Sequence, residues 1–380
     1  MENEITAEML KLIPKENSVV VDIRDEDSFS FGHINGAINI PYGDDFEKLP
    51  YGKKLIVCGN GGIISREFVE NLRQKGYDAY NLEGGYIGWL SNKLDSGESK
   101  AEEAERSLRK RFHSSILSKF TKALTDYELI KPGDKIAVCI SGGKDSMLMA
   151  KLFQEIKRHK KIDFEVIFLV MDPGYSRTNR RIIEKNAESL NIPLTIFETD
   201  IFSSVYNVKN NPCYLCARMR RGNLYSKAKE LGCNKIALGH HFDDVIETIL
   251  MGMIYGGQVQ TMIPKLHSAN FEGMELIRPM YLIRENDIKR WRDSNDLHFI
   301  QCACKFTDSV SEKNAENTSK RQEIKRLIAY LSKINPQIEM NIFRSVEGVN
   351  LKTLISYKDY EGIVHHFLDD YDSRKNSISE

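Results

Sequence analysis

Apolar and polar positions along this chain fall into blocks whose period changes. Val19–Ile23, a run near Ala37–Ile40, and Lys54–Val57 ending at Cys58 are short, aliphatic and bounded by polar residues, which predicts strands. A helix is expected over about Ser65–Lys75. From Ala101 to about Asp126, Leu108, Phe112, Ile116, Leu117, Phe120 and Leu124 recur at steps of three and four, the period of a helix with one buried face. Strands are then predicted at Ile136–Ile140, Val166–Met171, Leu194–Glu198 and Lys235–Leu238. They alternate with helices that follow Ser146 and span Ser176–Leu190 and Asn223–Leu231. Such alternation predicts an α/β fold, a parallel sheet with helices on both faces and ligands at the carboxyl ends of the strands.

The polar stretch Ser91–Lys100 contains Gly97 and reads as a linker. The expected organisation is a first domain over 5–95, a linker over 96–103, a second domain over 104–345 and a tail over 346–380. Ser319–Val346 reads as an amphipathic helix plus tail.

Composition narrows the class. The chain has 380 residues, 41% hydrophobic and 28% charged, which suits soluble globular domains. Net charge is zero, so any nucleic acid must be held by local basic patches. The first residues lack the basic and apolar regions of a signal peptide, and Val245–Tyr255 is too short to span a bilayer. A cytoplasmic protein with no membrane partner is therefore expected. In that setting seven cysteines point to metal binding or catalysis rather than to a disulfide framework.

Four groups of residues carry chemistry. Cys58 closes a strand and is followed by a glycine-rich loop and a helix, an order expected to surround a thiol with amides and lower its pKa. Ser141-Gly142-Gly143-Lys144-Asp145-Ser146 turns from an apolar strand into a helix. Its glycines let backbone N–H groups approach an anion, and it is not the Walker pattern. Asp172 and the run Gly239, His240, His241, Phe242, Asp243, Asp244 fall at neighbouring strand ends, where a carboxylate can hold magnesium between phosphate oxygens. Asp243 or Asp244 also suits the N-cap of the helix that follows. Cys213 and Cys216 form a CxxC pair beside Arg218, Arg220 and Arg221. The pair admits a redox dithiol, a zinc site completed by Cys302 and Cys304, or an iron–sulfur cluster on three thiolates. Cys139 and Cys233 read as structural.

Asp22, Arg24, "GHINGAINIP", Cys58 and "NLEGGYIGW" together resemble a rhodanese-like domain, a resemblance that implies Cys58 carries sulfur as a persulfide. Two departures stand out: the loop after Cys58 is one residue longer, and Ile63 and Ile64 occupy the place of a common arginine. They favour a protein persulfide donor over a small anion such as thiosulfate. SGGKDS resembles the PP-loop of ATP pyrophosphatases. With "SLRKRFHSSILSKFTKALTDYELIKPGDK", "PCYLCARMRRG", "GHHFDDVIETILMGMIYGG" and "IRPMYLIRENDI", it resembles TtcA-type tRNA 2-thiocytidine synthetases. That resemblance implies ATP, Mg2+ and a 4Fe-4S cluster on Cys213, Cys216 and Cys302, with Cys304 as the alternate. It also implies nucleotide contacts from Ser141, Gly142, Gly143, Lys144, Asp145, Ser146, Asp172, Gly239, His240, Asp243 and Asp244.

The implied reaction adenylates a pyrimidine C2 carbonyl of tRNA and replaces its oxygen by sulfur. Cys58, Lys144 and Asp145 are the expected catalytic residues, and Arg218, Arg220 and Arg221 the RNA contacts. Expected partners are tRNA, a cysteine desulfurase or other persulfide donor, and a second copy of the chain. Rival readings are action on a tRNA uridine, desulfuration of a free thiolated base, and a non-enzymatic sulfide or redox sensor.

Overall fold

The computed structural model describes residues 3–14, 16–43, 49–95, 99–205, 212–300, 320–369 and 371. The chain divides into two compact units, one of residues 1–243 and 263–317, the other of residues 244–262 and 318–380.

The first unit holds two sheets. Strands β1 (Glu4–Ile5), β2 (Ser18–Asp22), β3 (Ile38–Asn39), β4 (Lys54–Cys58) and β5 (Ala79–Leu82) form one, in the order β1-β5-β4-β2-β3, and every pairing is parallel. Helices α1 (Ala7–Leu12), α2 (Glu26–Phe31), α3 (Ile63–Gln74) and α4 (Gly85–Asp95) connect or follow these strands. Period-two alternation explains what covers the sheet. Leu55 and Val57 of β4 enter a small core with Val21, Phe68 and Leu72. Ile56 and Cys58 point the other way, into a larger core shared with the rest of the unit.

The second sheet contains β6 (Lys135–Ile140), β7 (Glu165–Asp172), β8 (Leu194–Glu198), β9 (Lys235–Ala237), β10 (Lys265–His267) and β11 (Glu275–Ile277), in the order β10-β11-β9-β6-β7-β8. All neighbours are parallel except β10 and β11. Both faces are buried. Ile136, Val138 and Ile140 pack with Met147 of α7 (Lys144–His159) and Ile182 of α8 (Arg177–Ser189). Ala137 and Cys139 pack with Tyr225 and Ala228 of α10 (Pro212–Glu230), which follows the short α9 (Ile201–Val205). Cys139 and Cys233 are buried in this layer, as their apolar settings predict.

The helix expected over 101–126 is interrupted. Helix α5 (Ala101–Arg109) gives way to a π turn (His113–Leu117) before α6 (Ser118–Asp126). The wider turn lets adjacent Ile116 and Leu117 both face the core. Helix α10 starts eleven residues earlier than its apolar period suggested, with Pro212 as its first residue, where a missing N–H costs nothing. Strands β10 and β11 escaped detection because three residues show no period.

In the second unit, α11 (Phe242–Gly256, its first two residues belonging to the first unit) accompanies α13 (Lys320–Ile334), α14 (Ile338–Arg344) and the hairpin β12–β13 (Ser356–Lys358, Val364–His366). Helix α12 (Glu285–Ser294) returns to the first unit.

Candidate active site

Strand β6 ends at Ile140, and the chain turns through Ser141, Gly142 and Gly143 into α7. Gly142 sits at φ +87°, and a Cβ there would lie 2.5 Å from Ile183 Cγ1, so only glycine permits this turn. Gly143 caps α7, and having no side chain it offers no acceptor to the first amides of the helix. Ser146 Oγ braces the turn from inside: it accepts from Ser141 N at 3.1 Å and donates to Gly143 O at 3.0 Å. A backbone cradle open to an anion results.

Lys144 is 3% exposed. Its Nζ lies 3.0 Å from Asp145 Oδ2, 3.2 Å from Glu285 Oε1, and 5.1 Å from the centre of the Phe31 ring. Glu285 opens α12, and its N–H donates to Asp243 Oδ2 at 2.7 Å. Asp243 therefore satisfies the start of α12 instead of capping its own helix. Gly239 presses its backbone on the start of α7, since a Cβ there would stand 3.5 Å from Ser146 N. His241 is buried, with Nε2 3.9 Å from Asp145 Oδ1 and Nδ1 3.8 Å from Asp243 Oδ2. His240 follows β9 at the same end. Asp145 Oδ1 is buried and accepts no hydrogen bond among the described residues. A carboxylate oxygen without a donor, beside an anion cradle, fits a hard divalent cation.

Two predicted nucleotide residues have other engagements. Asp172 Oδ1 accepts from the amides of Gly174 (2.9 Å) and Tyr175 (2.7 Å), and Oδ2 pairs with Arg180 at 2.7 Å. Burial pushes this carboxyl up, but those donors overcome it and hold the group below its ordinary pKa. Asp244 lies in the second unit and pairs there with Arg321 at 3.4 Å. Sequence reasoning missed Glu285 and Phe31. Glu285 stands inside the quoted "IRENDI" run, but nothing in its spacing announces a partner 141 residues upstream.

The CxxC pair falls in the first turn of α10. Cys216 is half-buried and packs with Met171 and Ile201. Met171 directly precedes Asp172 on β7, the neighbour of β6, so Cys216 lies at the strand ends that carry the glycine turn. The Cys213 side chain, Cys302 and Cys304 lie outside the described residues. Arg218 and Arg221 are exposed and Arg220 half-buried on α10. Arg278 was not foreseen. Burial, then the charge of Arg221, disfavour its protonated form.

In the other sheet Cys58 is fully buried. Gly59 O and Asn60 O, just beyond it, accept from Tyr86 N and Ile87 N. A Cβ on Gly85 would fall 2.4 Å from Gly59 O, so the loop is packed backbone to backbone. Arg24 lies between Asp22 (2.6 Å) and the Tyr86 ring (4.0 Å) and donates to Gly32 O at 2.7 Å. The expectation of a lowered Cys58 pKa is reversed: burial, then the charge of Asp22, push it up, and Arg24 opposes them only in part. Desolvation of the thiolate outweighs a single nearby cation.

Residues 112–357 match the model of the PP-loop domain family, and residues 6–92 that of the rhodanese-like domain. The tRNA-cytidine(32) 2-sulfurtransferase of Syntrophotalea carbinolica is 36% identical over 245 residues, 63% of this chain and 91% of its own. The protein of that name from Coxiella burnetii (strain RSA 493) is 35% identical over 252 residues, 66% of this chain and 95% of its own. That of Neisseria meningitidis serogroup C (strain 053442) is 38% identical over 210 residues, and the match covers 54% of this chain and 64% of the relative. Among solved structures, the U34-tRNA thiolase NcsA from Methanococcus maripaludis with its 4Fe-4S cluster aligns with a TM-score of 0.49 at 24% identity, over 62% of this chain and 78% of that one.

Proposed function

We propose, from the premise that this chain belongs to the PP-loop family, that it is an ATP-dependent tRNA sulfurtransferase that converts a cytidine to 2-thiocytidine. The observation that carries this reading is the glycine turn with Lys144 and Asp145 at its mouth, in a chain whose curated relatives thiolate tRNA cytidine. Ser141, Gly142, Gly143 and Ser146 hold phosphate oxygens with backbone N–H and hydroxyl groups. Lys144 offsets phosphate charge, and Glu285 and Asp243 orient it from behind. Asp145 Oδ1 is the oxygen that holds Mg2+.

The base's C2 oxygen attacks the α-phosphate and pyrophosphate leaves. Hydrosulfide then adds at C2, and AMP departs with the original oxygen. Cys213, Cys216 and Cys302 are the thiols that hold a 4Fe-4S cluster; soft donors suit iron, and the apolar packing of Cys216 suits a water-poor site. Such a cluster, held by three thiolates, would supply Lewis-acidic iron for sulfur. Cys58 is the sulfur carrier. Freeing its outer sulfur as hydrosulfide takes two electrons, which a pair of small thiols supplies as they become a disulfide. Arg218, Arg220 and Arg221 hold tRNA phosphate.

Anaerobic incubation with unmodified tRNA, ATP, magnesium and sulfide, followed by nucleoside mass spectrometry, tests the reading. One 2-thiocytidine is expected per AMP released, and none with Lys144→Ala. Release of AMP accompanied by a thiouridine would overturn the choice of base. Absence of AMP release by a cluster-containing preparation would overturn the chemistry.

A further inference from the structure

The ammonium of Lys144 has three N–H donors. Asp145, Glu285 and the face of Phe31 surround it, and the side chain is 4% exposed. A triphosphate reaching Lys144 must displace one of the three. The carboxylates belong to α7 and α12 of the nucleotide-binding half, and the N–H of Glu285 is tied to Asp243. Phe31 alone comes from the rhodanese-like half, and an ammonium–ring contact is the weakest of the three.

Phe31 is also linked to the buried thiol. It ends α2, and the next residue, Gly32, accepts a hydrogen bond from Arg24, whose charge acts on Cys58. Cys58 lies on the sheet face that enters the core shared with Met147, Ile183 and Ile300 of the nucleotide-binding half. Phe31 itself packs against that same core.

We propose that Phe31 competes with the triphosphate for Lys144, so that nucleotide binding and the docked, thiol-burying position of the rhodanese-like half exclude one another. This rests on the nucleotide reading of the glycine turn. By linkage the exclusion is reciprocal: what favours ATP exposes Cys58, and what holds Cys58 buried weakens ATP. The cycle that follows is chemically sensible. Cys58 is shielded while the nucleotide site is empty, and becomes accessible to a persulfide donor once ATP is in place.

So that no base is present to attack the α-phosphate, the test uses the full chain without tRNA, together with magnesium and AMPPNP. Calorimetry gives its Kd, and mass spectrometry of the Cys58 peptide gives the rate of alkylation by iodoacetamide. Loss of an ammonium–ring contact worth about 1–2 kcal/mol at this buried site converts to a roughly five- to thirtyfold tighter Kd in Phe31→Ala. Phe31→Tyr keeps the ring and stays at the wild-type value. AMPPNP is expected to speed Cys58 alkylation in the wild-type protein severalfold. If Phe31→Ala binds AMPPNP as weakly as wild type or more weakly, or if AMPPNP leaves alkylation unchanged or slows it, the competition is overturned while the nucleotide site stands. Absence of AMPPNP binding to the wild-type protein overturns both. Should Phe31→Ala not fold, Phe31→Leu and the wild-type alkylation rates decide the matter.

Discussion

Lys144 and Asp172 occupy equivalent places, each at or just past the end of a central strand, yet their surroundings assign them opposite work. Lys144 stands beside an amide cradle and a carboxylate oxygen with no donor among the described residues. Asp172 has spent both oxygens on its own turn and on Arg180. A folded-state pKa below the unfolded value near 3.9 means that the stabilisation is complete above that value and is lost as pH falls through the folded one. Asp172→Asn is therefore expected to cost about 1.5–3 kcal/mol at neutral pH, the worth of a charge-assisted hydrogen bond. It should also flatten the acid limb of stability below about pH 4. Urea melts of both proteins across pH 3–7 check this; curves that stay parallel into the acid would show that Asp172 contributes nothing by its charge.

Elements here are specified by more than their apolar period. The turn between β6 and α7 depends on a left-handed glycine pressed on Ile183, a contact between segments about forty residues apart. Gly142→Ala is expected to lose roughly 1–3 kcal/mol of stability through backbone strain and overpacking, together with nucleotide binding. Gly133→Ala provides the comparison: its φ is +83° but nothing lies within 4 Å of the added Cβ, so only the conformational cost of about 1 kcal/mol applies and AMPPNP binding is retained. Equal nucleotide affinity in the two variants would remove the turn from the site.

On the scale of the whole molecule, the first unit joins two sheets through one core. Trp89 of α4 meets His298 edge to face, and Lys93 pairs with Asp296 at 2.9 Å. Burial, then the charges of Lys93 and Arg292, disfavour protonated His298, and Asp296 opposes them only in part. With the folded pKa below the unfolded value near 6.5, this contact is at full strength above that pH and weakens as pH falls through it. Calorimetry is expected to show one transition for this unit at pH 7.5 and a separate, earlier melting of the rhodanese-like half at pH 5.5. In His298→Asn the pH dependence should vanish. A single transition at both pH values in the wild-type protein would refute the coupling.

The alternation of apolar runs announced the parallel sheets because a strand covered on both faces has no polar position to spare; β6 and β7 show this residue by residue. Gly142, Gly143, Lys144 and Cys58 were legible for a related reason: a glycine turn or a thiol at a strand end is a local pattern. Glu285 beside Lys144, Phe31 over it, the engagement of Asp172 by Arg180 and the burial that raises the Cys58 pKa were not. Each joins segments distant in the chain or depends on how much water the folded core excludes. Local sequence determined which groups stand at the strand ends; only packing decided which of them face one another and in what medium.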